Sequence, residues 1–156
     1  MMSFTKMHGA GNDFIMMETV DTRRDWSLLA IKMCDRHFGI GADSLILILP
    51  SDKADFQMRT FDADGLEAET CGNGIRCLAK YAFENGQISS GTHCISVETI
   101  TGVSEIRLSR SGDRLIGIQV SMNRPEFRAA NIPVMVELRK EGIVYIKSML
   151  GYPINI

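Results

Sequence analysis

Apolar and polar positions along the chain change period several times, and each change marks an element. Short alternating or apolar runs punctuated by glycine cover 3–8, 13–20, 44–49, 55–62, 93–99, 103–109, 114–122 and 143–149, which is the pattern of many short strands. "DFQMRTFD" alternates, with Phe56, Met58 and Thr60 on one side and Gln57, Arg59 and Phe61 on the other. "SLILILP" is a continuous apolar run ended by proline, and predicts a strand buried on both faces. Two stretches repeat at three and four instead. In "DWSLLAIKMCDRHFG" the residues Leu28, Leu29, Met33 and Cys34 form an approximate stripe, Asp25 can cap the start, and Gly39 stands where the helix should stop. In "NGIRCLAKYAFENG" the stripe is Ile75, Leu78, Ala79, Ala82 and Phe83, and Gly86 closes it. A sheet with one long buried helix is the simplest packing of these parts. Residues 124–142 have weak periodicity and include Pro125 and Pro133, so they read as a surface loop.

Length and composition narrow the class. At 156 residues and 45% apolar content the chain can bury one sizeable core, and no linker or low-complexity tract divides 1–156, so one soluble globular domain is expected. Lys and Arg total 17 against 19 Asp and Glu, which leaves no polycation for nucleic acid and no basic run for a membrane surface. The first residues, "MMSFTKMHGAGNDF", lack the apolar stretch of a signal peptide, and no run is long enough to span a bilayer, so the expected location is cytoplasmic. Cys34, Cys71, Cys77 and Cys94 fit no zinc or thioredoxin spacing and are expected as free thiols. His8, His37 and His93 are scattered, so no metal site is expected.

The candidate chemistry lies in "ETCGNGIRC". Cys71 stands just before the start of the second helix, where unpaired backbone N–H groups and the macrodipole favour negative charge. Gly72 and Gly74 let a bound group approach the backbone, and the same N–H groups can hold a carboxylate. One stretch could thus supply an acid/base and a grip on an acidic substrate. The plainer alternative makes Cys71 a small buried residue ahead of a helix capped by Asn73. "MHGAGNDF" presents Asn12 and Asp13 in a glycine turn beside His8, and "CDRHFGIGAD" sets Asp35, Arg36 and His37 before Gly39 and Gly41. Each has a plain reading too, with His37 complementing a helix dipole and Asp35 with Arg36 as a solvated pair.

Together, in order, "KMHGAGNDF", "CDRHFGIGAD" and "ADGLEAETCGNGIRCLAKY" resemble the diaminopimelate epimerase family, cofactor-independent isomerases of lysine and peptidoglycan precursor synthesis. The match covers roughly the first half of that family's usual length. The resemblance implies an α+β fold, a curved and mostly antiparallel sheet wrapped around a central helix, here 73–85, as one of the family's two halves. It also implies conversion of LL- to meso-diaminopimelate by two cysteines on opposite faces of the α-carbon, one removing a proton and the other delivering one. Cys71 matches one of them. Asn12, Gly72 and Asn73 match substrate-holding residues, and Ser44 stands at a position that can touch substrate. His8, Asp13 and Arg76 lie inside the matching motifs as supporting residues.

Several positions depart from the family. Asp62 occupies the position of a substrate-gripping asparagine, and Leu66 that of a serine; a carboxylate accepts hydrogen bonds and donates none. "SMLGYPIN" carries Tyr152 and Ile154 where the family has an asparagine and a histidine. No counterpart of the family's second half, with its second catalytic cysteine, follows here, and Cys77 is expected to be a packing thiol. A lone half should expose the surface that meets its twin, so a homodimer or a partner half is expected to cover it. The expected ligand is a small amino acid, with no cofactor. Two alternatives stand beside this reading: a related epimerase for another amino acid, and a non-catalytic truncated or assembly domain.

Overall fold

The computed structural model describes residues 2–69, 71–122, 144–146 and 149–151. Two compact units divide after Met122. The first holds strands β1 (Thr5–Gly9), β2 (Asn12–Glu18), β3 (Ser44–Leu49), β4 (Phe56–Asp62), β5 (Glu67–Ala68), β6 (Cys94–Thr99), β7 (Gly102–Ser111) and β8 (Arg114–Val120), with helices α1 (Trp26–Cys34) and α2 (Gly72–Glu84). The second contains β9 (Val144–Ile146) and β10 (Met149–Gly151), an antiparallel pair, where the alternation at 143–149 predicts a single strand. Residues 124–142, Tyr152 and Ile154 lie outside the described residues.

The eight-stranded sheet runs in the order β1-β2-β3-β4-β6-β7-β8, with β5 paired to β4. β2 with β3 and β4 with β6 are parallel, and the remaining neighbours are antiparallel, so the sheet is mixed and mostly antiparallel. Contacts of α2 with both β1 and β8, the two ends of that order, follow from a sheet that curls around the helix.

The period of two in β2 and β3 decides the layers. Phe14, Met16, Ile46 and Ile48 point to one face, where they bury Ile75, Leu78, Ala79 and Ala82 of α2. Ile15, Met17, Leu45, Leu47 and Leu49 point to the other, against Trp26, Ala30 and Cys34 of α1. All six residues of β3 are buried, as the unbroken apolar run predicts, because a helix covers each face.

The stripe on α1 differs from the sequence reading. Trp26, Ala30 and Cys34 are buried, Leu29 and Met33 flank them, and Leu28 is 48% exposed. Trp26 sets this rotation: its indole N–H donates to the Asp21 carbonyl at 2.8 Å and anchors the ring over the sheet. The helix also stops at Cys34, short of Gly39. Asp35 accepts from the N–H groups of His37 and Phe38, and the chain doubles back so closely that a Cβ at Gly39 would lie 2.3 Å from the Lys32 carbonyl. Ile40 and Gly41 then donate to the Met33 carbonyl and Ala42 to that of Cys34, satisfying the helix end. At the far end of α2, Gly86 takes a left-handed φ of 70° and Gln87 donates to the Ala82 carbonyl, a glycine stop as predicted.

Candidate active site

Strand direction brings the candidate residues to one end of the sheet. β2 and β3 are parallel and both begin there, and β4, antiparallel to β3, ends there, with Ser44 opposite Asp62. Asn12 shares the parity of Phe14 and Met16, Ser44 that of Ile46 and Ile48, and Asp62 that of Met58, all of which pack on the α2 face. Asn12, Ser44 and Asp62 therefore share that face and that end with the first turn of α2.

Cys71 is itself the N-cap of α2, with extended backbone and its Sγ accepting from the Gly74 N–H at 3.4 Å. Asn73, the cap under the plainer reading, lies inside the helix instead. The first turn is pinned by small residues. A Cβ at Gly74 would meet Ile46 Cδ1 at 2.7 Å, and one at Gly9 would meet the Asn73 carbonyl at 3.2 Å and Cys77 Sγ at 3.4 Å. Cys71 remains half-buried, whereas Cys77 and Cys34 are buried. Burial pushes the Cys77 thiol up and raises Cys34 to about 11. Both are core thiols, and Cys94 is exposed on β6, so among the described residues Cys71 is the cysteine at the site.

The Cys71 thiol reaches Asn12 Oδ1 at 3.7 Å. Which end of the Asn12 amide faces the sulfur is decided on its other side, because Nδ2 donates to Asp43 Oδ2 at 2.7 Å. A flipped amide would set its oxygen against that carboxylate. Asp43 also accepts from the Asp13 N–H at 3.0 Å, and Arg36 donates both to Asp13, at 2.7 and 3.1 Å, and to Asp43, at 2.7 Å. Lys6 adds a second cation 3.4 Å from Asp13. The Arg36 guanidinium holds the Asp13 carboxyl well below the usual range, and the Asn12 amide, followed by the Asp13 backbone, lowers Asp43. Arg36 is thus a cross-link between two strand starts, where the sequence reading offered a solvated pair with Asp35.

The remaining candidates are placed as follows. Ser44, buried, donates from Oγ to Asp62 Oδ1 at 2.7 Å. Gly72 is half-buried and lies under Met122, whose Sδ would be 3.2 Å from an added Cβ. Asn73 accepts at Oδ1 from Arg76, so its amide oxygen is already engaged within the first turns of α2. His8 is exposed on β1, opposite Asp13. The sequence reading missed Asp43: the motif "GIGAD" contains it, but its link to Asn12 crosses 31 residues and no local pattern reports it. Among the described residues no cluster of His, Cys, Asp and Glu could hold a metal ion, and no helix is long and apolar enough to cross a membrane.

This arrangement can hold a half-buried thiol between a fixed amide oxygen and a helix N–H, beside further backbone N–H groups that have no acceptor within the helix. A family model of diaminopimelate epimerase matches residues 4–128. A diaminopimelate epimerase from Caldanaerobacter subterraneus subsp. tengcongensis is 50% identical over 139 residues, 89% of this chain and 50% of that protein. One from Halothermothrix orenii is 45% identical over 159 residues, 99% of this chain and 53% of that protein. The chain spans about half the length of the curated relatives it matches. Among solved structures, a probable proline racemase from Agrobacterium radiobacter has a TM-score of 0.64 at 15% identity, over 78% of this chain and 42% of that one. A hydroxyproline epimerase from Agrobacterium vitis has a TM-score of 0.63 at 15% identity, over 78% and 41%. These two share the fold.

Proposed function

The chain belongs to the diaminopimelate epimerase family, and from that premise we propose that it forms one half of a cofactor-independent amino-acid epimerase in which Cys71 is one of two acid/bases. The family reaction, LL- to meso-diaminopimelate, is the leading assignment. The observation that carries it is the placement of Cys71 Sγ between Asn12 Oδ1 and the Gly74 N–H, at the sheet end where Ser44 and Asp62 also lie.

In the proposed reaction the substrate's α-carboxylate sits on the N–H groups of Gly72 and Asn73, and its α-carbon faces Cys71. The Cys71 thiolate takes the α-proton and becomes a thiol, and the electron pair left on the α-carbon spreads toward the carboxylate, whose developing charge the helix N–H groups stabilise. A second acid on the opposite face then gives its proton to the α-carbon and is left as its conjugate base. Run backwards, Cys71 donates. The Asn12 amide oxygen orients the thiol, and Asp43 with Arg36 holds that amide.

The second acid comes from outside the residues described, in a partner half or a second copy of the chain. Three large apolar side chains in segments bordering the site support such a partner: Phe38 is 97%, Leu66 68% and Met122 61% exposed. Light scattering across a dilution series tests the assembly, with a dimer expected and a clean monomer counting against it. A cytoplasmic location accords with a metabolic substrate of this kind.

The direct test is to incubate the reduced protein with LL-diaminopimelate in heavy water and follow the α-proton and the stereoisomer ratio by NMR. Deuterium uptake with inversion, lost in Cys71→Ala, is the expected result. Uptake that persists in Cys71→Ala would remove Cys71 from the chemistry, and no uptake by the folded chain would mean that it does not act without its other half.

A further inference from the structure

The chain holds Cys71 from both sides. After it comes α2, whose first turn packs on Ile46 through Gly74. Before it runs the segment 62–69, which has little apolar burial to fix it: Leu66 is 68% exposed, Glu67 is exposed and Ala68 is half-buried. Its tip is held by polar contacts instead. Gly65, at a left-handed φ of 86°, donates to the Asp62 carbonyl at 2.8 Å, its own carbonyl accepts from Ser27 Oγ of α1, and Ala63 donates to the Asp43 carbonyl at 3.1 Å. The chain then returns along β4 as β5, with two residues in register, Glu67 opposite Phe61 and Ala68 opposite Thr60. So short a ladder resists fraying poorly.

A side-chain clamp reinforces it. Arg59 donates from Nε to Glu67 Oε1 at 2.6 Å and from Nη2 to Oε2 at 2.8 Å, a two-pronged ion pair between β4 and β5 that fixes direction as well as distance. The guanidinium also lies 4.9 Å from the centre of the Phe61 ring, which is buried in the core on the α1 side. Both charged side chains are 29% exposed, so water screens this pair less than it screens those of Arg36. Arg59 and Glu67 share the side of Phe61 and face α1, whereas Ala68, opposite Thr60, faces α2. The clamp therefore sits on the back of the sheet. It touches no ligand held at Cys71 and acts there through the backbone of β5.

We propose that Arg59 and Glu67 are positioning residues for Cys71: their ion pair fastens β5 to β4 and so sets where the chain enters the cap of α2, four residues beyond Glu67. Cys71 Sγ has to keep two contacts at once, with Asn12 Oδ1 and with the Gly74 N–H. A misplacement of about 1 Å at a reacting group costs about a hundredfold in rate. The effect on rate rests on the epimerase reading, and the effect on access to the thiol does not.

The test measures both in Arg59→Gln, Glu67→Gln and the double variant. The first readout is the rate at which iodoacetamide labels each cysteine, resolved by peptide mass spectrometry. Once β5 is freed, Cys71 should label about tenfold faster in either single variant, the size of one charge-assisted hydrogen bond, while the buried Cys34 and Cys77 stay protected. The double variant should match the singles, because losing either partner already breaks the pair. Arg59→Lys, which keeps the charge and loses the second prong, should fall between the parent and Arg59→Gln. A Cys71 rate unmoved in both single variants overturns the proposal, and so does faster labelling of Cys34 and Cys77 alongside it, which would make the pair a support of the whole fold. The second readout is α-proton exchange of LL-diaminopimelate in heavy water, where kcat should fall about ten- to a hundredfold with KM little changed. Faster labelling with exchange unmoved overturns the positioning role. The expected labelling in a parent chain that exchanges no α-proton leaves the clamp standing and tells against activity of the chain by itself, and Cys71-dependent exchange with unmoved labelling does the reverse.

Discussion

Both helices start with a side-chain acceptor bonded to an N–H three residues on, but the acceptors differ. At α1, Asp25 Oδ1 takes the Leu28 N–H at 2.9 Å, and at α2, Cys71 Sγ takes the Gly74 N–H at 3.4 Å. A carboxylate at that place is a strong cap and complements the dipole, whereas sulfur is a weak acceptor. The start of α1 is built for stability. At α2 the capping position is given to a group that can exchange a proton, and the first turn is held by packing instead: Gly74 on Ile46, Gly9 on Asn73, and Ile75 fully buried.

The largest effect expected from this contrast is on chemistry. Cys71→Ala should lower α-proton exchange by about a thousandfold, within the range of acid/base catalysis, with little change in melting temperature. Cys71→Ser is sharper still, because a serine oxygen caps better than sulfur. Calorimetry should find it as stable as the parent or more so, while exchange is lost. A serine variant that melts early would mean that the sulfur was chosen for packing.

Next in size is Gly74→Ala. The new Cβ is driven against Ile46 in the core, and chemical denaturation should register a loss of about 1–3 kcal/mol together with reduced exchange, since the turn that carries Cys71 must shift. No loss of stability would show that packing does not hold this turn. Asp25→Ala should cost about 1 kcal/mol in the same assay and leave exchange untouched, and a drop in exchange there would break the division between the two helix starts.

The smallest effect concerns acid. Asp13 and Asp43 have folded-state values below the ordinary carboxylate range, so the unfolded chain binds more protons as pH falls. Stability from the Arg36 cross-link is present above about pH 4 and is lost as pH drops through the folded values. Arg36 is 54% exposed, so the gain is modest. Urea melts of the parent and Arg36→Ala should differ at neutral pH and converge in acid; a difference that stays constant would exclude the ion pairs as its source.

Much of the fold is legible in the chain because burial writes period into sequence. β3 reads as doubly buried since a helix covers each of its faces, and α2 reads as central since its apolar stripe packs into one core cluster with the sheet. The reading fails where a contact is made by one residue's shape. Leu28 looks like core by its chemistry and is exposed because Trp26 sets the rotation of α1, and Gly39 looks like a helix stop but serves the doubling-back of the chain after Cys34. At the site, Cys71 is visible through its motif, whereas its capping role is not, since Asn73 has the better capping chemistry.

The amino-acid sequence by itself determined seven of the strands of the main sheet, the two helices, the family and the residue types available for proton transfer, because local period and ordered motifs record each of these within a few residues, whereas the two-residue β5 and the split of 143–149 into β9 and β10 left no such period. Tertiary structure alone decided which of those residues meet. The parallel start of β2 and β3 and the antiparallel return of β4 bring Asn12, Ser44 and Asp62 to the first turn of α2, across 59 residues between Asn12 and Cys71. The same register gives Asp43 a cation and leaves Asp62 with a hydroxyl. Charge compensation depends on distance in space, and a chain that folds back on itself makes that distance independent of position in the sequence.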